Sequence, residues 1–241
     1  MQLIGSPISP FVRKVLVFLN LKGLGFEIDP LVPFYGNDRF EALNPLRRIP
    51  LLIDDRVTLA DSSVICQYLE ERYPTPALYP QDIAARARAR WLEEFADTRV
   101  GETVLVRLFF ELSVKRAVFG QDPDEKLVAR ARDRDLPRVL DYLETQVPAE
   151  GCIFGELSIA DIAIASFFRN LAYIRMPVDA ARWPKTAAFI ERTLALPVFV
   201  QLAEVESRLM RTRIPEQRRV LAELGWRLTT ESYATDMPRL P

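Results

Sequence analysis

At 241 residues the chain is long enough for one large domain or two modest ones, each with its own apolar core. Its 49% hydrophobic and 27% charged content excludes a disordered chain, and 32 basic against 33 acidic side chains exclude a polyanion binder on charge. With no histidine present, Ser-His-Asp triads, Cys-His dyads, imidazole metal ligands and histidine proton shuttles are excluded together.

In chain order, Gln2 to Ile4 reads as a short strand running into the turn Gly5-Ser6-Pro7-Ile8-Ser9-Pro10. A helix follows, with Val12, Val15, Leu16 and Leu19 at helical spacing, Arg13, Lys14 and Lys22 on the opposite face, and Gly23 placed to end it. Phe26 to Val32 reads as a second strand and Asp38 to Asn44 as a short helix. Leu51–Ile53 and Val57–Leu59 form a hairpin about Asp54-Asp55-Arg56. Ser62 to about Arg72 is helical, with Val64, Ile65, Tyr68 and Leu69 inward, before Tyr73-Pro74-Thr75-Pro76 breaks the pattern. The resulting order over residues 1–80 is β-α-β-α-β-β-α.

Beyond a linker at roughly residues 74–82, strand signals all but vanish, so 83–241 is expected to be an all-α domain with a carboxyl-terminal extension. Helices are expected at about 83–117 with a weak point at Gly101, then at 124–147, 158–175, 184–196 and 199–210. Leu157-Ser158-Ile159-Ala160-Asp161-Ile162 combines an N-cap serine, an acidic third residue and the staple pair Leu157 and Ile162. Removing Ser158 should cost about 1 kcal/mol.

Cys66 and Cys152 lie far apart without a C-x-x-C partner, which offers neither a zinc site nor a disulfide framework and leaves two buried structural thiols. No metal is expected. The opening Met-Gln-Leu-Ile lacks the features of a secretory signal, and the early apolar run Val15–Leu19 falls far short of the roughly 20 residues a bilayer needs. A cytoplasmic protein without a membrane span is the expectation.

Three segments of the first domain carry the chemistry: Ser6-Pro7-Ile8-Ser9-Pro10-Phe11-Val12-Arg13, Asn44-Pro45-Leu46-Arg47-Arg48-Ile49-Pro50, and Leu59-Ala60-Asp61-Ser62. Their order and spacing resemble the glutathione S-transferases of the cytosolic, serine-type, bacterial-like kind: the serine turn, the N-P-x-G-K-V-P segment and the L-x-E-S segment of that family. The S-x-x-D cap of the helical domain is similar as well. The resemblance implies a thioredoxin-like first domain, glutathione as co-substrate with no other cofactor, and a homodimer. Two positions depart from the family pattern: Asp61 stands where glutamate is more usual, and Arg47 where glycine is common.

The residues suit that chemistry. A thiol of pKa about 8.5 is only about 3% thiolate at pH 7, and the thiolate is the nucleophile. A hydroxyl at the amino end of a helix donates to sulfur where amides and dipole favour negative charge, and lowering the pKa by two units takes about 2.7 kcal/mol. Ser6 is placed for this role; Ser9 is the alternative hydroxyl, and also a plain N-cap with Pro10 as the first helical residue. In this fold the residue before a cis-proline pairs with an extended peptide, and Ile49-Pro50 fits that position. Ser62 offers its amide and hydroxyl to a carboxylate, Asp61 pairs with an ammonium, and Arg48 is the candidate partner of the glycyl carboxylate.

The second substrate, an apolar electrophile, is expected between the domains against Phe11 and helical aromatics such as Trp91, Phe109, Phe110 and Phe119. Residues 214–241, with Trp226 and Tyr233, either drape over that cleft or form a surface extension. The expected activity is a transferase that joins the glutathione thiolate to the electrophile. Alternatives are a glutathione-dependent disulfide reductase or peroxidase, and a non-catalytic protein-binding member of the fold. Nucleic acid is not an expected partner.

Overall fold

The computed structural model describes residues 1–239. They form two compact units: Met1–Pro76 together with the described chain from Pro197 onward, and Ala77–Leu196. The chain from residue 197 onward thus packs with the amino-terminal unit.

The first unit is built on a four-stranded sheet of β1 (Gln2–Ile4), β2 (Glu27–Asp29), β3 (Leu51–Ile53) and β4 (Thr58–Ala60), in the order β2-β1-β3-β4. β1 runs parallel to β2 and antiparallel to β3, which pairs antiparallel with β4. The β1–β2 crossover is α1 (Pro10–Leu21), which ends as its sequence predicts: Gly23 adopts φ +65°, and the Leu24 amide reaches back to the Leu19 carbonyl at 2.9 Å. α2 (Asp38–Leu43) is capped by Asn37, and α3 (Ser62–Arg72) by Asp61. This is the thioredoxin-like arrangement.

Three expectations are corrected here. β2 stops at Asp29 rather than Val32, because Pro30 has no amide to continue the ladder. β4 is shifted one residue, to Thr58–Ala60, because Asp54 accepts the Arg56 and Val57 amides and so extends the turn through Val57. The basic face of α1 is buried: Arg13 and Lys14 are inaccessible and Lys22 nearly so. Arg13 Nε donates to Glu206 at 2.6 Å, and Lys22 Nζ meets Glu70 and the carbonyls of Tyr73 and Pro76.

Glu206 belongs to α10 (Pro197–Leu209), which packs on α1. Past it, α11 (Gln217–Glu223) was invisible to helical periodicity because only seven residues carry it. The chain then runs along the free edge of the sheet, where Leu228 bridges Ile28 in parallel and Ala234 bridges Gly36. Residues 214–239 therefore close a sheet edge of the first unit, with Trp226 edge-on to Phe26 at 6.1 Å.

The second unit is mainly helical: α4 (Ile83–Phe95) winds through a wide π-type stretch (Ala96–Val114) into α5 (Lys115–Phe119). α6 (Glu125–Arg130) passes through a shorter such stretch into α7 (Leu136–Gln146). α8 (Ile159–Tyr173) and α9 (Pro184–Leu194) complete it. The winding changes at Ala96, ahead of the expected weak point. Gly101 instead provides a close approach, since a Cβ there would lie 3.1 Å from the Phe167 ring of α8.

α8 is apolar on nearly every side and forms the core of this unit. Its cap is as expected: the Asp161 carboxylate accepts from the Ser158 amide at 2.9 Å, the Ser158 hydroxyl at 2.7 Å and the Ile153 amide at 2.9 Å. Burial pushes the Asp161 carboxyl above the usual carboxylate range against the pull of these donors. Cys66 is buried, whereas Cys152 is only partly so, and burial raises its thiol pKa away from the reactive range. Among the described residues no single helix is long and apolar enough to cross a membrane.

Candidate active site

Strand register decides where the three motif segments meet. Ile4 of β1 pairs with Leu51 of β3, and Leu51 pairs with Ala60 of β4, so these residues form one row across the sheet. Each segment departs from that row: β1 exits into Gly5 and Ser6, β3 is entered through Ile49 and Pro50, and β4 exits into Asp61 and Ser62. All six residues thus converge at one end of the sheet, between the amino ends of α1 and α3.

Gly5 makes the approach possible. At φ +150° a Cβ would fall 2.5 Å from Val12 and 3.1 Å from the Cβ of Ile49, so the first and second segments touch only because this residue has no side chain. The turn is further pinned by backbone bonds: the Gly5 amide donates to Asp29 and the Ser6 amide to Leu31, each at 2.8 Å, and the Ser9 amide closes on the Ser6 carbonyl at 3.0 Å. Arg13, charge-balanced by Glu206, donates from Nη2 to the Ile8 carbonyl at 3.1 Å.

Ser6 is 3% exposed, and among the described residues its Oγ has no hydrogen-bond partner. A buried hydroxyl without a partner costs about 1–3 kcal/mol, so a hydrogen-bonding group seated against Ser6 would be favoured. Ser9 is the N-cap of α1 by backbone, with Pro10 next, but its half-exposed hydroxyl makes no capping bond. The Ile49–Pro50 bond is cis, as that position of the fold leads one to expect. Asn44, itself buried, holds the loop by donating to the Arg48 carbonyl at 2.5 Å and accepting from the Leu46 amide at 3.2 Å.

The two departures from the family pattern are accounted for by geometry. Arg47 sits at φ +51°, the left-handed conformation in which glycine is free of strain. Asp61 adopts φ +77° while its Oδ1 accepts the Ser63 and Val64 amides at 2.9 and 3.1 Å. Its short side chain thus caps α3 directly, and such strain at a helix start is characteristic of ligand clamps. Ser62, 2% exposed at the first helical position, has a buried Oγ without a partner, like Ser6. Arg48 is exposed beside Ile49. Lys14, buried behind the turn, donates to Ser63 at 3.0 Å and adds positive charge at the start of α3.

The aromatic candidates divide between the units. Phe11 is partly exposed at the start of α1. In the second unit Phe109 is 2% exposed and belongs to the helical core, while Phe110 is half-buried with its ring 6.4 Å from Phe119. Trp91 is an exposed helix residue whose indole donates to Tyr142 at 2.9 Å. The sequence reading missed Asp29, Arg13 and Glu206 as parts of the support. The only signals were an acid just before Pro30 and the basic pair Arg13-Lys14 on α1.

Models of the glutathione S-transferase amino-terminal and carboxyl-terminal domains match residues 3–77 and 110–201. Glutathione S-transferase 3 of Zea mays is 33% identical over 208 residues, 83% of this chain and 91% of that protein. The chain belongs to the glutathione S-transferase family.

Maleylacetoacetate isomerase of Rattus norvegicus is 29% identical over 191 residues, 77% of this chain and 84% of the relative. The crystal structure of a glutathione S-transferase from Rhodospirillum rubrum F11 superposes with TM-score 0.76 at 29% identity, covering 83% of this chain and 90% of that one. Both family models fall on stretches described above, the first spanning all three motif segments.

Proposed function

We propose that this glutathione S-transferase-family chain binds glutathione at the sheet end formed by Ser6, Ile49, Pro50, Asp61 and Ser62, and uses its thiolate as the nucleophile toward an apolar electrophile. The observation that carries this reading is the pair of buried hydroxyls without partners, Ser6 Oγ and Ser62 Oγ, at the end of the sheet where the three motif segments converge.

The backbone of Ile49 pairs with the extended tripeptide. The Ser62 amide and hydroxyl donate to the γ-glutamyl carboxylate at the amino end of α3, Asp61 takes its ammonium, and Arg48 takes the glycyl carboxylate. The Ser6 hydroxyl donates to the sulfur, the thiol proton leaves to solvent, and the thiolate attacks the electrophilic carbon. A carbon–sulfur bond forms as a leaving group departs with its electron pair, or as a proton is taken up across a double bond. No enzyme-bound covalent intermediate is involved; catalysis consists of anion stabilisation and positioning. Glutathione is the co-substrate and no other cofactor takes part. Phe11, at the start of α1, lines the electrophile side, in a cytoplasmic homodimer.

A second reading is favoured by the relatives named maleylacetoacetate isomerase. There the thiolate adds to a conjugated double bond, the resulting single bond rotates, and sulfur leaves again, so that glutathione is regenerated. Assays with a chromogenic aryl halide, a cis-enone acid and a small disulfide separate transferase, isomerase and reductase. Turnover of the first with a glutathione conjugate as product supports the primary reading; turnover of the disulfide alone overturns it.

A further inference from the structure

We infer that the carboxyl-terminal segment 217–239 is a positioning device for the serine turn, acting through Asp29; the functional part of this inference rests on the glutathione-site reading above. Asp29, at the end of β2, is 1% exposed. Its carboxylate is held entirely by the carboxyl-terminal segment: Arg218 Nη1 donates at 3.0 Å, the Ser232 hydroxyl at 3.0 Å and the Tyr233 amide at 2.7 Å. Its carbonyl faces the other way, accepting the Gly5 amide at 2.8 Å and the Leu31 amide at 2.7 Å. The Leu31 carbonyl in turn accepts the Ser6 amide at 2.8 Å. One residue therefore joins the segment from Arg218 to Tyr233 to both amides that fix the Ser6 backbone, that of Gly5 directly and that of Ser6 through Leu31.

The clasp is continuous along the loop that follows. The Ile28 amide donates to Arg227 and the Thr229 amide to Ile28, at 2.9 and 3.2 Å. The Asn37 amide donates to Tyr233 at 2.9 Å and the Thr235 amide to Tyr35 at 2.7 Å. Arg239 pairs with Asp38, and the Arg39 guanidinium lies 5.3 Å from the Tyr233 ring centroid. The free edge of β2 and the loop that follows it are thus covered from Ile28 to Asp38, and the turn carrying Ser6 is bonded to the end of β2 and to Leu31. A charged group with three converging donors has one preferred position, and that position sets where Ser6 Oγ points. Asp29 and Arg218 are positioning residues; neither touches the reacting atoms.

Two measurements on the full-length chain test this, using Asp29→Asn, Arg218→Ala and the milder Ser232→Ala. Amide hydrogen exchange of the ligand-free protein should show Gly5 and Ser6 exchanging about tenfold faster in each variant, with the amides of α8 unchanged. The pH dependence of kcat with glutathione should move up by about half a unit while KM for the electrophile stays constant, with Arg218→Lys restoring most of the shift. Gly5 and Ser6 exchange rates equal to those of the wild type overturn the inference, as does a fall in melting temperature with an unmoved pH profile. If the wild-type chain binds no glutathione, the site reading falls, yet the exchange measurement still decides the coupling.

Discussion

Replacing Ser6 by alanine separates a folding role from a functional one. In the ligand-free protein Ser6 Oγ is buried without a partner, so removing it deletes a desolvated polar group and leaves no new unsatisfied atom. The turn is held by backbone bonds from Gly5, Ser6 and Ser9, none of which uses the hydroxyl. Ser6→Ala is therefore expected to be as stable as the wild type, or more stable by up to about 1 kcal/mol. With glutathione bound, the same change removes a hydrogen bond to an anion, worth about 1.5–3 kcal/mol. At about 1.36 kcal/mol per unit this raises the pKa of the bound thiol by roughly 1–2 units. Below that pKa the turnover falls by roughly 10- to 100-fold, with little change in the affinity for glutathione. Ultraviolet thiolate absorbance across a pH series, paired with denaturant unfolding, reads both effects. A destabilised variant with an unshifted thiol pKa would refute the assignment and pass the role to Ser9.

Three further outcomes are expected. Arg47→Gly relieves the left-handed strain at φ +51° and should raise stability by about 1 kcal/mol in urea unfolding, with the site intact. Glu206→Gln removes the carboxylate that meets the buried Arg13 guanidinium at 2.6 Å, and about 3–5 kcal/mol of stability should be lost in the same assay. Asp54 is desolvated, which alone would raise its pKa, but hydrogen bonds from Tyr68 and the Arg56 and Val57 amides, with the Arg72 charge, hold its carboxyl below the usual range. Its stabilisation is present above the ordinary carboxylate pKa and is lost as pH falls through that range. Asp54→Asn should accordingly cost about 1–2 kcal/mol at neutral pH and flatten the acid limb of the unfolding curve.

Much of this molecule could be read from local sequence because its decisive signals are local. β1, β3 and α3 carry apolar spacing and breakers at their own ends, and they fall where expected. The Ser158-Asp161 cap is a four-residue pattern and needs no tertiary information. The three motif segments stood out through their resemblance in order and spacing to the family's motifs, and each lies at a strand end. What escaped was set by long-range partners. Arg13 looks like a solvated residue until Glu206, far along the chain, neutralises it. Asp29 looks like an ordinary turn acid until Arg218, Ser232 and Tyr233 close on it. The edge-closing segment has too little periodicity to announce itself, because single bridges at Leu228 and Ala234 hold it rather than a strand of its own.

The central claim is that glutathione binds at the end of the sheet where Ser6, Ile49 and Ser62 meet, and calorimetric titration of the full-length protein tests it most directly. The account predicts one saturable site per chain, weakened at least about tenfold in Ser62→Ala, and a stability gain of about 2.7 kcal/mol at a hundredfold excess over Kd. Absence of binding heat together with an unmoved melting temperature at millimolar glutathione would contradict it.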